Sequence, residues 1–348
     1  MNTTAYDKAK STLGIFDASE TYGRVIAKGK DVLDLLHRMS TNDLRPMFDK
    51  PGSGAQTILT TDKGRIIDLL SVINRGKDSL LVTSMGKEEM IIQWLDKFTI
   101  MEDAKFLSAT NGIRQFILVG PRSLDLVRSL LSGDLVSMEQ FDSILATING
   151  HPVLIQKSLR IIESGWTVFV EVEFADDVKA NLEARAEEMG GAVIDQEIFE
   201  VLRIEVGLPI APNELNEKHN PLEASIVGAV SFTKGCYIGQ EVIARLDSYD
   251  KVQRHLMGIR MSGSEAKADS LLQEKSKFPF KLKSKSGEDI GEVTSLVYSP
   301  DASSIIGLAY VRTAHTNPGE VVGVAIGEES LVDASLEKVP FELELASR

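Results

Sequence analysis

Lys234-Gly235-Cys236-Tyr237-Ile238-Gly239-Gln240-Glu241 is the stretch around which the rest of the chain is organised. It contains the only cysteine among 348 residues. Two glycines so close together mean a backbone that turns tightly or approaches something closely. A helix is expected directly afterwards, from Glu241 to Leu246. A thiol next to a lysine and close to a helix N-terminus is drawn towards thiolate. The competing reading is a buried, inert thiol, the common fate of a lone cysteine. From the residues alone both readings stand.

The length exceeds what one ordinary core supports, so two or three domains are expected. Apolar residues make up 43% and charged residues 26%, a composition typical of soluble globular chains. No apolar run is long enough for a membrane span, and residues 1–10 lack the pattern of a signal peptide. A single cysteine excludes an internal disulfide framework and suits a reducing compartment. The expected location is therefore cytoplasmic, with no membrane association. A net charge of −13 opposes generic binding to phosphate backbones, so no direct nucleic-acid partner is expected. It leaves room for a local basic pocket that takes a small anionic ligand.

Hydrophobic periodicity predicts a helix from Val32 to Met39, closed by Thr41-Asn42-Asp43. Runs from Ala55 to Thr60 and Arg65 to Ile73, joined by Asp62-Lys63-Gly64, read as a β-hairpin. A strand from Ser79 to Thr83 leads into a helix from Lys87 to Phe98. The strand-then-helix unit recurs at Gln115 to Leu131 and at Thr167 to Met189, where Gly190-Gly191 supplies a C-cap signal. Interleaved hairpins and helices indicate an α+β fold built of ferredoxin-like pieces rather than a doubly wound parallel sheet. Beyond about Asp250 the runs become short, β-rich and separated by Gly, Pro, Ser and Asp, which reads as a separate β-barrel or sandwich.

Five scattered histidines and one cysteine give no metal-ligand spacing. Gly52-Ser53-Gly54 lacks the third glycine of a dinucleotide fingerprint and precedes a strand instead of following one. Ser84-Met85-Gly86-Lys87 spells Ser-x-x-Lys, but at a strand-to-helix junction it reads as a helix N-cap. The lysines at 275, 277, 281, 283 and 285 alternate with other residues, as on a charge-protected edge strand. Arg203 and Glu205, in Leu202 to Pro209, suit either a structural ion pair or a fork presented to a heterocycle or carboxylate.

Taken together these stretches resemble the YgfZ folate-binding proteins, within the superfamily of glycine-cleavage T-protein (GcvT) aminomethyltransferases. Lys234 to Glu241 is similar to the signature Lys-Gly-Cys-Tyr-x-Gly-Gln-Glu, with Ala244-Arg245 and Arg254 beyond it. Leu202 to Pro209, followed by Glu214, Pro221 and Glu223, resembles the superfamily's Leu-Arg-hydrophobic-Glu-x-Gly segment. Thr41-Asn42-Asp43 resembles its N-terminal helix exit, and Gly291 to Val311 its C-terminal barrel. The T-proteins carry an Asp-Asp pair on the early hairpin where this chain has Asp68-Leu69, and they lack Cys236-Tyr237.

The resemblance implies a folate-binding region over residues 1–250, made of two interleaved α+β lobes, and a C-terminal β-barrel over 251–348. These would form a three-lobed ring around a central folate channel. It further implies tetrahydrofolate, or a one-carbon derivative, as cofactor. Cys236 and Asp68 are the catalytic candidates it offers. Arg203, Glu205, Lys234, Tyr237, Gln240 and Arg245 are the cofactor-binding candidates. The function implied is support of iron–sulfur cluster assembly or repair, including tRNA-modifying radical enzymes, with iron–sulfur client proteins as partners. The alternative is a tetrahydrofolate-dependent aminomethyltransferase or demethylase.

Overall fold

The computed structural model describes residues 1–131, 138–158, 165–249, 251–262, 272, 278–326 and 330–342. Its chain contacts form two units. One comprises Met1–Ile198 with Gly228–Gln240, the other Phe199–Val227 with Glu241 onward.

The first unit is a mixed helix–sheet structure. A five-stranded sheet runs in the order Gly54–Thr60, Ile66–Asn74, Ser79–Ser84, Tyr22–Lys28, Lys105–Ser108. A six-stranded sheet runs Ala192–Ile194, Gly14–Asp17, Ile113–Val119, Gly165–Glu171, His151–Ser158, Ser143–Ile148. Among the described strands the only parallel pair is Gly14–Asp17 with Ala192–Ile194. The rest are antiparallel, as an α+β reading requires and a doubly wound sheet does not.

The hairpin at residues 54–74 forms where the alternation places it, with Gly64 at φ +67 in its turn. Helix Val32–Met39 has the bounds that its periodicity predicts. It turns Val32, Leu35 and Leu36 inward and carries an Asp34–Arg38 pair outside. Helix Ala175–Glu188 ends as its glycines predict: Gly190 takes φ +81, and the Gly191 amide donates to the Ala186 carbonyl.

Helices pack on an outer face of each sheet. Leu35, Leu36, Leu70, Leu81, Ile91 and Leu95 fill one helix-covered core. Ile15, Phe116, Val168, Val178 and Leu182 fill the other. Between the sheets Ile73, Leu80 and Val82 meet Ile113, Leu154 and Phe169. Each such aliphatic side chain, buried, contributes about 1.5–3 kcal/mol relative to exposure.

The second unit contains a closed six-stranded barrel, ordered Arg254–Met261, Ser304–Arg312, Asp289–Ser299, Phe280–Lys283, Val321–Ile326, Ser330–Glu337. The last strand pairs back onto the first. Ile259, Leu282, Ile290, Val293, Val324 and Leu336 fill its interior. Closure removes free edges, so the lysine alternation does not mark one here. Strand Phe280–Lys283 is flanked on both sides, and Lys281 and Lys283 both pair with Asp289, at 3.3 and 2.9 Å. Lys275 and Lys277 lie outside the described residues.

Helix Gln196–Glu205 and the hairpin of Ser143–Ile148 with His151–Ser158 go beyond the expected elements. In the helix Ile198, Phe199, Val201, Leu202 and Ile204 are all buried. Arg203 and Glu205 are buried beside them, so the run 202–206 suits a strand as readily as a helix when read from its letters. The hairpin turns on Asn149-Gly150, both at positive φ, a strong two-residue turn signal.

Candidate functional site

The signature loop is fastened at both ends. At its start, Lys234 is only 5% exposed. Its ammonium donates to the carbonyls of Ser40 at 2.7 Å and Asn42 at 2.9 Å, and also to that of His37. His37 lies in the last turn of helix Val32–Met39 and Ser40 caps it, so the charge sits at the helix's negative end. Three N–H donors meet three carbonyls, and the Tyr237 ring lies 5.2 Å away. Burial lowers the Lys234 pKa to about 8; Asp43 opposes this and Arg45 adds to it. The Tyr237 phenol, also desolvated, is pushed up to about 12.

At the loop's other end the Thr60 hydroxyl donates to the Ile238 carbonyl at 2.5 Å. Gly239 follows at φ +85, where a Cβ would stand 2.5 Å from the Thr61 carbonyl oxygen. Upstream, Thr41 donates its hydroxyl to the Ala229 carbonyl at 2.6 Å and accepts the Ser231 amide on its own carbonyl at 3.0 Å. The Thr-Asn-Asp helix exit and the signature stretch, remote in sequence, are thus one structural element. Between the fastenings Cys236 is exposed. Lys234, two residues before the cysteine, has its donors taken by carbonyls. Gln240 opens helix Gln240–Ser248 and reaches back to the Lys234 carbonyl at 3.5 Å.

Asp68 lies on strand Ile66–Asn74 with its side chain fully enclosed. Ser84 donates its amide to one carboxylate oxygen at 2.9 Å and its hydroxyl to the other at 2.5 Å. The Lys87 ammonium stands 3.6 Å away and donates to the Ile67 carbonyl at 2.6 Å. Burial raises the Asp68 pKa; Lys87 first and then Ser84 counter it. Ser84 is therefore not the expected helix cap. Helix Glu88–Asp96 starts after Lys87 without a side-chain cap, and the hydroxyl serves the buried acid instead. The Ser-x-x-Lys spacing was the available signal for this pairing.

Arg203 and Glu205 belong to the second unit and are also buried. The five N–H donors of Arg203 go to Glu200 twice, Glu214, Ser295 and the Leu208 carbonyl. Glu214 in turn accepts from Thr294 at 2.7 Å and Ser295 at 2.6 Å. Glu205 accepts from the Ser299 hydroxyl at 2.6 Å. This segment is thereby riveted to the barrel strand that carries Ser295 and Ser299. Arg245 is exposed on helix Gln240–Ser248. Of the expected site residues, Asp68, Lys234, Cys236, Tyr237 and Gln240 lie in the first unit, and Arg203, Glu205 and Arg245 in the second.

A two-sheet α+β region followed by a closed antiparallel barrel, with buried charges at its motif positions, defines the class of fold. The chain belongs to the glycine cleavage T-protein family: residues 4–234 match the GCVT N-terminal domain and residues 254–341 the glycine cleavage T-protein C-terminal barrel domain. A chloroplastic putative transferase of Arabidopsis thaliana is 27% identical over 97% of this chain and 73% of its own length. The aminomethyltransferase of Bacillus velezensis is 28% identical, over 97% of this chain and 88% of that one. The crystal structure of the glycine cleavage system aminomethyltransferase T from Bartonella henselae has the same fold, with TM-score 0.78 at 18% identity, covering 97% and 88% of the two chains.

Two consequences are measurable. Gly239→Ala forces a Cβ onto the Thr61 carbonyl at a positive φ, whereas a Cβ at Gly235 meets nothing within 4 Å. Urea denaturation should show a loss of about 1–3 kcal/mol for Gly239→Ala and little change for Gly235→Ala. The second consequence concerns pH. A lysine whose pKa falls from 10.5 to about 8 on folding leaves the unfolded chain holding the extra proton between those values. Stability from this group therefore rises from pH 8 to 10.5 and is lost as pH falls through 8. Lys234→Met should remove that rise from the pH profile of unfolding.

Proposed function

We propose that this protein is a tetrahydrofolate-dependent aminomethyltransferase or demethylase. The observation that carries the reading is similarity along the whole chain, N-terminal domain and barrel together, to proteins named aminomethyltransferases. The chain spans 89% of the Halothermothrix orenii aminomethyltransferase, so the reading does not rest on a shared fragment. Tetrahydrofolate or a one-carbon derivative is the cofactor. Asp68 orients the amine or N5 during proton transfer, acting from its enclosed position through the groups around it. Arg203 and Glu205 hold the framework of the second unit rather than touch the ligand, because their polar atoms are engaged within the protein. The expected result is heat of tetrahydrofolate binding in calorimetry and formation of methylene-tetrahydrofolate from an aminomethyl donor, lost in Asp68→Asn. Absence of heat and of a thermal shift at millimolar folate would end the proposal.

A second reading, a YgfZ-type folate protein that maintains iron–sulfur enzymes, is favoured by one observation. Cys236 is exposed on a loop fastened at both ends. A thiol held out in this way suits contact with a client protein. The reading expects deletion of the gene and Cys236→Ala to lower the activity of iron–sulfur tRNA-modifying enzymes alike. A silent Cys236→Ala beside a deletion phenotype would remove the cysteine from it.

A further inference from the structure

We infer that a cavity at the outer edge of the six-stranded sheet binds a linear aliphatic polyamine, a chain of ammonium groups joined by methylenes. The inference goes beyond the transferase and iron–sulfur readings and depends on neither.

The cavity measures about 430 Å³, within the range of about 300–1,000 Å³ in which proteins hold small ligands. All of its walls come from the first unit. It opens where strands Gly14–Asp17 and Ala192–Ile194, paired in parallel, meet helix Ala175–Glu188 and the first turn of helix Gln196–Glu205. Part of its lining is apolar: Ile15, Phe16, Phe116, Ile194 and Ile198 are each no more than 3% exposed. Val193, on the edge strand, is 50% exposed and offers methylenes a surface to cover.

The charged lining sets the class of ligand. Asp17, Glu20, Glu183 and Asp195 stand against one cation, Lys179. Most of these charges are engaged. Asp17 accepts from Lys179 at 3.3 Å and from the Ser19 amide at 3.1 Å. Glu20, largely in solvent, lies 3.4 Å from Arg114. Asp195 caps its helix through the Ile198 amide at 2.9 Å, which occupies one oxygen and leaves the other. Glu183 differs from all three. It is half-buried one turn after Lys179 on the same helix, and it has no hydrogen-bond or ion-pair partner among the described residues. The lysine that could have paired with it is turned to Asp17.

Two carboxylate groups and an apolar wall thus remain for a ligand. Ammonium groups answer the carboxylates with charge-assisted hydrogen bonds, and the methylenes between them answer the wall. A divalent metal ion fits poorly. No group of three or more His, Cys, Asp and Glu placed to hold one occurs among the described residues, and an ion gains nothing from apolar contact. An anion is repelled by the surplus of carboxylates.

The chain's net charge of −13 also draws polyamines to its surface without a site, so the test separates the two. Spermidine is titrated into the full-length protein by calorimetry at about 0.15 M salt, where exposed charges are screened. Saturable binding of one spermidine per chain is expected, and none of magnesium chloride at matched ionic strength. Glu183→Gln, which keeps the side chain's shape, should weaken binding about tenfold. Glu217→Gln, an exposed charge of the second unit, should leave it unchanged. Val193→Trp should block the cavity and abolish binding. In wild-type protein labelled at isoleucine methyls, spermidine should shift Ile194 and Ile198, a readout that needs no altered cavity. Absence of saturable binding, equal losses in Glu183→Gln and Glu217→Gln, or displacement of spermidine by magnesium would each overturn the proposal, as would unmoved Ile194 and Ile198 signals at saturation.

Discussion

A buried ammonium is the interaction on which the signature region depends. Taking a lysine charge out of water costs several kcal/mol unless every donor finds a partner. Lys234 meets that condition with three carbonyls at the end of helix Val32–Met39 and its exit. The helix leaves those carbonyls without intrahelical partners, so the lysine and the helix end satisfy each other. The match holds a loop some 190 residues later in the chain against the Thr41-Asn42-Asp43 exit. It also decides what the loop can offer. With its ammonium spent on the fold, Lys234 has no donor for a ligand, and Cys236 is exposed between the loop's fastenings.

The same economy recurs at the other motif positions. Arg203 is satisfied by Glu200, Glu214, Ser295 and a backbone carbonyl, and Asp68 by Ser84 with Lys87 nearby. Each is a charge that would be costly if left alone, and each is enclosed by polar partners from another part of its own unit. Such groups fix the backbone on which less buried residues stand. A motif written as a string of letters therefore mixes two kinds of residue: those that build the framework and those that the framework presents.

Much of the fold was legible in the chain. Helix Val32–Met39, the hairpin at Gly64 and the glycine-capped helix Ala175–Glu188 follow from periodicity and turn chemistry, because each has one apolar face and one wet one. The barrel strands follow from short apolar runs between turn residues. Helix Gln196–Glu205 did not stand out, since the run 202–206 at its end suits a strand as readily as a helix and its charged residues Arg203 and Glu205 are buried. Asn149-Gly150 carried its hairpin in plain letters, but the flanking strands lack clean alternation: Ile144 and Leu145 are apolar and exposed. The contacts also group residues 199–227 with the barrel, a pairing between segments whose sequences carry no mark of each other.

The site divides in the same way. By itself the sequence determined the α+β region, the following barrel and the family, and it named candidate residues, because those depend on local pattern and on motif identity. Only the tertiary structure decided which of these residues face inward. Charge and hydrogen-bonding capacity are properties of a residue type, whereas the number of donors left for a ligand depends on neighbours brought from distant positions. That is why Lys234 proves to be a fastening and Ser84 a partner of Asp68 rather than a helix cap. It is also why Cys236 is left in the open while Lys234 and Tyr237 of the same signature are buried.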